Sequence, residues 1–390
     1  MGVWHFCPSP VDITRDQGGV SNVVRALAVE NSKVGLSTTI VCGDCELGRR
    51  VQAVGTISPL PNLRIITVKQ NGNPALGPIA ELATVISGIP SNDVAHVHTC
   101  FSAFSDYAMH SLSRRAIPFV FSPHGKLSSA VLRNRKFVKR IWWMAISRRH
   151  INMADRIGAN APGEALDVQR MHLRSTIVNI PNGYSPPPGD GWRRTSPLIP
   201  GRYILFLGYL DPRKRPEILI ESLSLSAKRN DVRLVIAGPD PYLIGAKLKH
   251  VARELGVGER VVFFGPAYSE EKWNLLTNAL CLCLPSRAEG MPLVLAEAIG
   301  ANTPILVSPE SNGTRFVEAG AGIEIADPSG EAWSATIDML LSSPATTARL
   351  KIAAARIASE YLWSTIAARW AEVYEAIAAE TCGRHEVLPQ

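Results

Sequence analysis

Residues 282–298 read LCLPSRAEGMPLVLAEA, and this stretch decides the fold. An apolar strand ends at Pro285-Ser286. Glu289-Gly290-Met291 follow, Pro292 suits the first turn of a helix, and Glu297 falls on that helix's second turn. Strand, short loop and helix in that order are the repeating unit of a parallel α/β sheet. Such sheets gather their ligands at the C-terminal ends of the strands. Backbone N–H groups near Gly290, Met291, Pro292 and Leu293 would face a diphosphate. The two carboxylates, Glu289 and Glu297, can accept hydrogen bonds from sugar hydroxyls. The purely structural alternative makes Glu289 a helix-dipole partner and Glu297 a solvated residue. That alternative leaves the placement of Ser286, Gly290 and Pro292 without a reason.

Working outward, the same grammar recurs. Residues 203–222 read YILFLGYLDPRKRPEILIES: a strand runs into Gly208, then the basic loop Arg213-Lys214-Arg215, then a helix started by Pro216. Three cations at a strand end suit a diphosphate; they equally suit a solvated surface. Apolar strands are predicted at Val3–Cys7, Thr38–Cys42, Arg64–Val68, Val94–His98, Pro118–Ser122 and Ile177–Ile180. A second set is predicted at Tyr203–Leu207, Arg233–Ala237, Arg260–Phe264, Ala279–Leu284 and Ile305–Val307. Fully apolar strands between helices indicate parallel sheets covered on both faces. Between the sets, residues 184–201 (YSPPPGDGWRRTSPLIPG) carry five prolines and three glycines, which excludes a helix or a central strand. The expectation is two doubly wound domains, 1–185 and 186–362. The segment 363–390 is a final helix with Ile366, Trp370, Val373, Tyr374 and Ile377 on one face.

Composition agrees. The 390 residues are 46% hydrophobic, which excludes a disordered or fibrous chain. No apolar run reaches the roughly 18–20 residues of a membrane span, and the first residues lack the basic-then-apolar pattern of a signal peptide. Seven cysteines form no regular framework, so reduced thiols are expected and no metal site is assigned. In the first half, the loop ending at Gly18-Gly19 precedes a helix-like run, a place where backbone can approach an anion. Pro123-His124-Gly125 closes another strand and points His124 at a polar ligand; an ordinary loop histidine is the alternative. His96 and His98 are left unassigned.

The net charge of +7 is lopsided: +9 over residues 1–185 and −2 over 186–390. No acidic residue occurs from Tyr107 to Ala154. Within that window RNRKFVKRIWWMAISRR (133–149) suits an amphipathic helix. Arg133, Arg135, Lys136, Lys139 and Arg140 supply charge, and Trp142 and Trp143 are placed for the headgroup level of an anionic membrane. A domain helix with solvated cations is the alternative. The chain carries no recognisable nucleic-acid module, so nucleic acid is not an expected partner.

Together these segments resemble the family-four retaining nucleotide-sugar glycosyltransferases. The resemblance rests on Gly18-Gly19, Pro123-His124-Gly125, Ile180-Pro181-Asn182-Gly183 and Gly208-x-Leu210-x-x-x-Lys214. It extends through Leu234–Pro239, Phe264-Gly265 and Pro285-Ser286-x-x-Glu289-Gly290 to Glu297. It implies the GT-B fold, two Rossmann-like parallel-sheet domains facing across a cleft. It implies roles as well: Lys214 on the donor diphosphate, Glu297 on the ribose, Glu289 on the donor sugar, His124 near the reaction centre, and Gly18 and Gly19 closing on the phosphates. Two positions depart from the family pattern. Tyr209 stands where Arg is usual, leaving Arg213 or Arg215 to supply the charge, and Asn302 stands where Gly is usual. No D-x-D pair occurs, so the expected reaction needs no metal and no cofactor beyond the nucleotide-sugar donor.

The resulting expectation is hexosyl transfer, with retention, from a UDP- or GDP-sugar to a glycan or lipid-linked glycan. It would occur in the cytoplasm or peripherally on the inner membrane face, in polysaccharide synthesis. An epimerase of the same fold and a non-catalytic sugar-nucleotide-binding protein are the alternatives.

Overall fold

The computed structural model describes residues 1–14, 19–46, 49–50, 52–69, 79–128, 143–187, 189, 192, 196–225 and 231–386. The chain divides into two units. The first comprises Met1–Asn160, Glu164–Pro181 and Trp363–Gln390; the second comprises Ala161–Gly163 and Asn182–Leu362.

The first unit is built on an eight-stranded sheet. Its order is Thr176–Asn179, Arg156–Ala159, Phe119–Ser122, Val94–His98, Val3–Cys7, Thr38–Gly43, Leu63–Val68, Gly55–Leu60. Val3–Cys7 is buried at every position, as are both its parallel neighbours, Thr38–Gly43 and Val94–His98. Sequence order runs outward one way from Val3–Cys7 and resumes on its other side, so the topological switch lies between Val3–Cys7 and Val94–His98.

One departure from the parallel expectation is an edge hairpin, with Gly55–Leu60 antiparallel to Leu63–Val68. The link is Pro61-Asn62, with Asn62 in the left-handed region at φ 60°, and a link that short permits only antiparallel pairing. The strands Arg156–Ala159 and Gly322–Glu324 are two further additions; each offers a single large apolar residue, Ile157 or Ile323, where the equally short predicted strand Ile305–Val307 is apolar throughout.

The final helix, Trp363–Glu386, packs within the first unit, burying Ile366, Trp370, Tyr374 and Ile377. Gly158 makes room for it, since a Cβ there would lie 2.5 Å from Trp370 Cη2. Of the predicted basic helix, Arg133, Arg135, Lys136, Lys139, Arg140 and Trp142 lie outside the described residues. Trp143 opens a π-helical turn, Trp143–Ser147, and is partly buried against the core of the first unit.

The second unit carries a six-stranded parallel sheet, ordered Val261–Gly265, Val232–Ala237, Arg202–Leu207, Leu282–Leu284, Ile305–Val307, Gly322–Glu324. Its switch lies between Arg202–Leu207 and Leu282–Leu284, paired at Leu205 and Leu282. Trp273, fully buried, packs against Trp192 and Tyr184 at centroid distances of 4.7 and 5.7 Å. Among the described residues no helix is long and apolar enough to cross a membrane.

Candidate active site

At the switch point of the second unit, topology joins two segments that are about seventy residues apart in sequence. The Arg213 carbonyl accepts the Arg287 N–H at 2.7 Å, and Arg215 Nε donates to the Pro285 carbonyl at 2.9 Å. Arg215 is buried, with φ at 50°, so its side chain ties the basic loop to the strand end. Between these ties Lys214 Nζ meets Glu289 Oε1 at 2.5 Å, and Ser286 Oγ donates to the same oxygen at 3.1 Å. The Glu289 backbone is held by its N–H to the Glu310 carbonyl and by Asn312 Nδ2 on its own carbonyl at 2.7 Å.

Arg213 closes a fork on Asp211, its Nη2 2.5 Å from Oδ2. Burial works against the Asp211 charge, but the bonds from Arg213 prevail and hold the carboxyl below the ordinary aspartate range. Both arginines of the basic loop are thus engaged by the protein, while among the described residues the Lys214 ammonium meets another charged site residue, Glu289.

The floor beside Lys214 is glycine. The strands Arg202–Leu207, Val232–Ala237 and Val261–Gly265 turn off together at Gly208, Gly238 and Gly265. Gly208 N–H donates to Ala237, and Gly238 N–H donates to Gly265. A Cβ on Gly238 would lie 1.9 Å from the Gly208 carbonyl oxygen, and at φ 139° no other residue suits the position. The bare face of Gly208 seats the Lys214 stem, which passes 3.7 Å from where a Cβ would stand.

Pro292 leads into the helix Leu293–Gly300 in an extended conformation, and no side chain caps the helix start. That start therefore offers N–H groups and partial positive charge. Asn182 Nδ2 holds the Met291 carbonyl at 2.8 Å and so fixes the approach. Glu297, one turn along from Leu293, receives Lys272 Nζ at 2.6 Å.

The first unit has its own polar cluster at its switch point. His98 Nδ1 and His124 Nε2 lie 2.9 Å apart, His5 Nδ1 and His98 Nε2 3.1 Å, and His124 Nδ1 lies 3.0 Å from Asn160 Nδ2. With the Asn160 amide as donor, His124 keeps its proton on Nε2 and gives it to His98. His98 gives its own to His5, so one amide sets three tautomers. The chain ends at His5 Nε2, buried and with no hydrogen-bond partner among the described residues. Burial lowers the pKa of His5 to about 3; burial, and then Lys126, lower that of His124 to about 3. Glu164 accepts the backbone N–H groups of Gly125 and Asn160 and so joins the two strand-end loops. Burial raises its carboxyl above the usual range even against those bonds.

His5, His96 and His98 bring ring nitrogens within 4.8 Å of one another. Their rings stack: His96 and His98 have centroids 4.0 Å apart at 27°. Both His96 nitrogens are also engaged, by Tyr374 Oη and Ser122 Oγ at 2.8 Å each. Stacked, hydrogen-bonded imidazoles do not converge their lone pairs on one ion, so the cluster fits a polar network better than a metal site.

Two family models match the chain in sequence. "Glycosyltransferase Family 4" covers residues 17–186, and "Glycosyl transferases group 1" covers residues 194–357. The chain belongs to glycosyltransferase family 4. One relative is the D-inositol 3-phosphate glycosyltransferase of Thermobispora bispora, 30% identical; the match spans 57% of this chain and only 56% of that protein. A second is the GDP-mannose:cellobiosyl-diphosphopolyprenol alpha-mannosyltransferase of Komagataeibacter xylinus, 25% identical over 75% of this chain and 74% of that one. In structure the chain is similar to the sucrose-phosphate synthase of Thermosynechococcus elongatus, with TM-score 0.76 and 18% identity, over 97% of this chain and all of that one. The architecture is therefore GT-B, with two parallel-sheet α/β units.

On this family-4 framework, the structure brings together Lys214, Glu289, Gly290, Met291, Pro292 and Leu293, and places Glu297 one turn beyond them. Gly19 begins the helix Gly19–Lys33 and is exposed, with open space where a Cβ would stand; Gly18 lies outside the described residues. His124 keeps both ring nitrogens on protein partners, His98 and Asn160, so a ligand can bond to it only in exchange for one of them. Sequence reasoning missed Lys272, Asn312, Asp211, Asn160 and Glu164. Lys272, Asn312, Asn160 and Glu164 sit in no motif and act through partners distant in sequence, whereas Asp211 lies inside the basic loop, two residues from its partner Arg213. His98 carries a signal in the sequence, a histidine ending a strand like His124.

Proposed function

We propose that the chain is a retaining hexosyltransferase. It takes a UDP- or GDP-sugar in its second unit and transfers the sugar to a hydroxyl of a glycan or lipid-linked glycan. The observation that carries this reading is the Lys214–Glu289 pair, seated over glycine-ended strands beside an uncapped helix start. Lys214 neutralises the diphosphate, and the N–H groups at Gly290, Met291 and Leu293 receive its oxygens, so no divalent metal is needed. On donor binding Glu289 exchanges Lys214 for the sugar hydroxyls, and Glu297 accepts from the ribose.

Among the described residues of the site both carboxylates, Glu289 and Glu297, are read as hydroxyl acceptors, so the reading takes retention by front-face displacement. The C1–O bond to the diphosphate breaks and the C1–O bond to the acceptor forms on the same face. The acceptor proton passes to the leaving phosphate oxygen. The Komagataeibacter relative, by its name, acts on a diphosphopolyprenol-linked sugar with GDP-mannose, which supports a lipid-linked acceptor here. The basic segment 133–140 supports a peripheral position at an anionic membrane, in polysaccharide synthesis.

The test is Lys214→Ala and Glu297→Ala, assayed for donor affinity and transfer. The expected loss in turnover for Lys214→Ala is on the order of 10²–10³-fold. Unchanged binding and turnover in both variants would sink the reading.

A further inference from the structure

We infer that Lys272 is a positioning residue that sets the ribose-binding carboxylate of Glu297 and makes the site discriminate ribonucleotides from 2′-deoxyribonucleotides. The inference rests on the reading of Glu297 as the ribose partner and adds a residue that no motif contains.

Lys272 lies on the helix Ser269–Asn278, which packs beside the helix Leu293–Gly300. Its ammonium sits 2.6 Å from Glu297 Oε1, and the two side chains are only 16% and 14% exposed. Holding a long lysine in one rotamer costs up to about 2 kcal/mol of conformational entropy. Withdrawing both charges from water costs more, so pairs of this kind seldom add net stability. A functional advantage fits the arrangement better.

That advantage is visible in the carboxylate. Oε1 is taken by Lys272, whereas Oε2 receives no hydrogen bond among the described residues. Glu297 is four residues after Leu293, on the same helix face as the start that would receive the diphosphate. Lys272 thus fixes the plane of a carboxylate whose other oxygen is left for a ligand hydroxyl. A ribose presents two adjacent hydroxyls to such a group; a 2′-deoxyribose presents one fewer. Without Lys272 the carboxylate is free to turn away from the ribose hydroxyls.

The test is nucleotide titration by calorimetry. The ligands are UDP and GDP, the 2′-deoxy form of whichever binds, and inorganic diphosphate. For Lys272→Met, affinity for the ribonucleotide is expected to fall roughly tenfold, the scale of one charge-assisted bond. The ribo-to-deoxy preference should shrink, and diphosphate binding and the melting temperature should hold. Lys272→Arg should recover most of the affinity. Lys272→Gln, nearly isosteric, serves the same test if the Met variant folds poorly, and Lys272→Gln combined with Glu297→Gln should bind no worse than Glu297→Gln alone. If Glu297→Gln weakens binding while the Lys272 variants do not, the positioning role is wrong and the site reading stands. If Glu297→Gln leaves ribonucleotide binding intact, or the native protein binds neither UDP nor GDP, both fail. Equal losses for ribonucleotide and diphosphate would make Lys272 a general charge and overturn its positioning role.

Discussion

Acidification should unfold the first unit early, through its buried histidines. His5, His96 and His98 are 0–1% exposed, and burial, the largest cause for each, holds their pKa values far below 6.5. In the unfolded chain they titrate near 6.5. Below that pH the unfolded state binds protons that the native state refuses, so stability is full above 6.5 and falls as the pH drops. One pH unit below, each such group costs about 1.4 kcal/mol, so the three cost about 4 kcal/mol at pH 5.5. That is a large share of the roughly 5–15 kcal/mol that holds a typical domain together. His124, at about 3, adds in the same direction, whereas Glu164, with its raised pKa, opposes by at most one proton. Urea unfolding between pH 7.5 and 5, followed by tryptophan fluorescence, to which Trp370 beside His96 contributes, measures the slope. Uptake of about three to four protons near pH 5.5 is expected. His5→Leu should remove about one of them. Uptake of one proton or fewer, or a midpoint that does not move with pH, would refute the argument that these imidazoles are buried and neutral.

Three other outcomes follow from the geometry. Gly238→Ala should destabilise the second unit by roughly 2–4 kcal/mol, because the new Cβ meets the Gly208 carbonyl oxygen at a backbone angle alanine avoids; a melting temperature within a degree of the native value would contradict this. Asp211→Asn frees the Arg213 fork and should weaken stability at neutral pH. The Asp211 contribution is lost only as the pH falls through its depressed pKa, so the variant should leave the pH 5–7 slope untouched in the same urea series. Neutralising Arg133, Arg135, Lys136, Lys139 and Arg140 together should abolish sedimentation with anionic vesicles, and binding that survives would remove the membrane role.

Strand positions, helix starts and the division into two α/β halves were legible in the sequence because each is a local matter. Apolar runs such as Val3–Cys7 bury wherever the chain puts them, and Pro292 ahead of an apolar run is a local helix-start signal. The motif around Glu289 could be read too, because strand, loop and helix are contiguous there. The edge strand Gly55–Leu60 and the strands Arg156–Ala159 and Gly322–Glu324 escaped because none of them is a continuous apolar run. The lone residues of the site, Lys272, Asn312 and Asn160, escaped because nothing beside them in the chain marks them.

What the sequence determined by itself is thus the repeating α/β grammar, the lopsided charge and the residues rich in chemistry at strand ends. What only the tertiary structure decided is pairing. It put Lys214 on Glu289, Lys272 on Glu297, and His124 between His98 and Asn160. A parallel sheet stacks strand ends from distant parts of the chain side by side, and charged or polar groups meeting there must find partners once water is withdrawn. Those partnerships depend on strand order, a property of the whole sheet that no single segment contains.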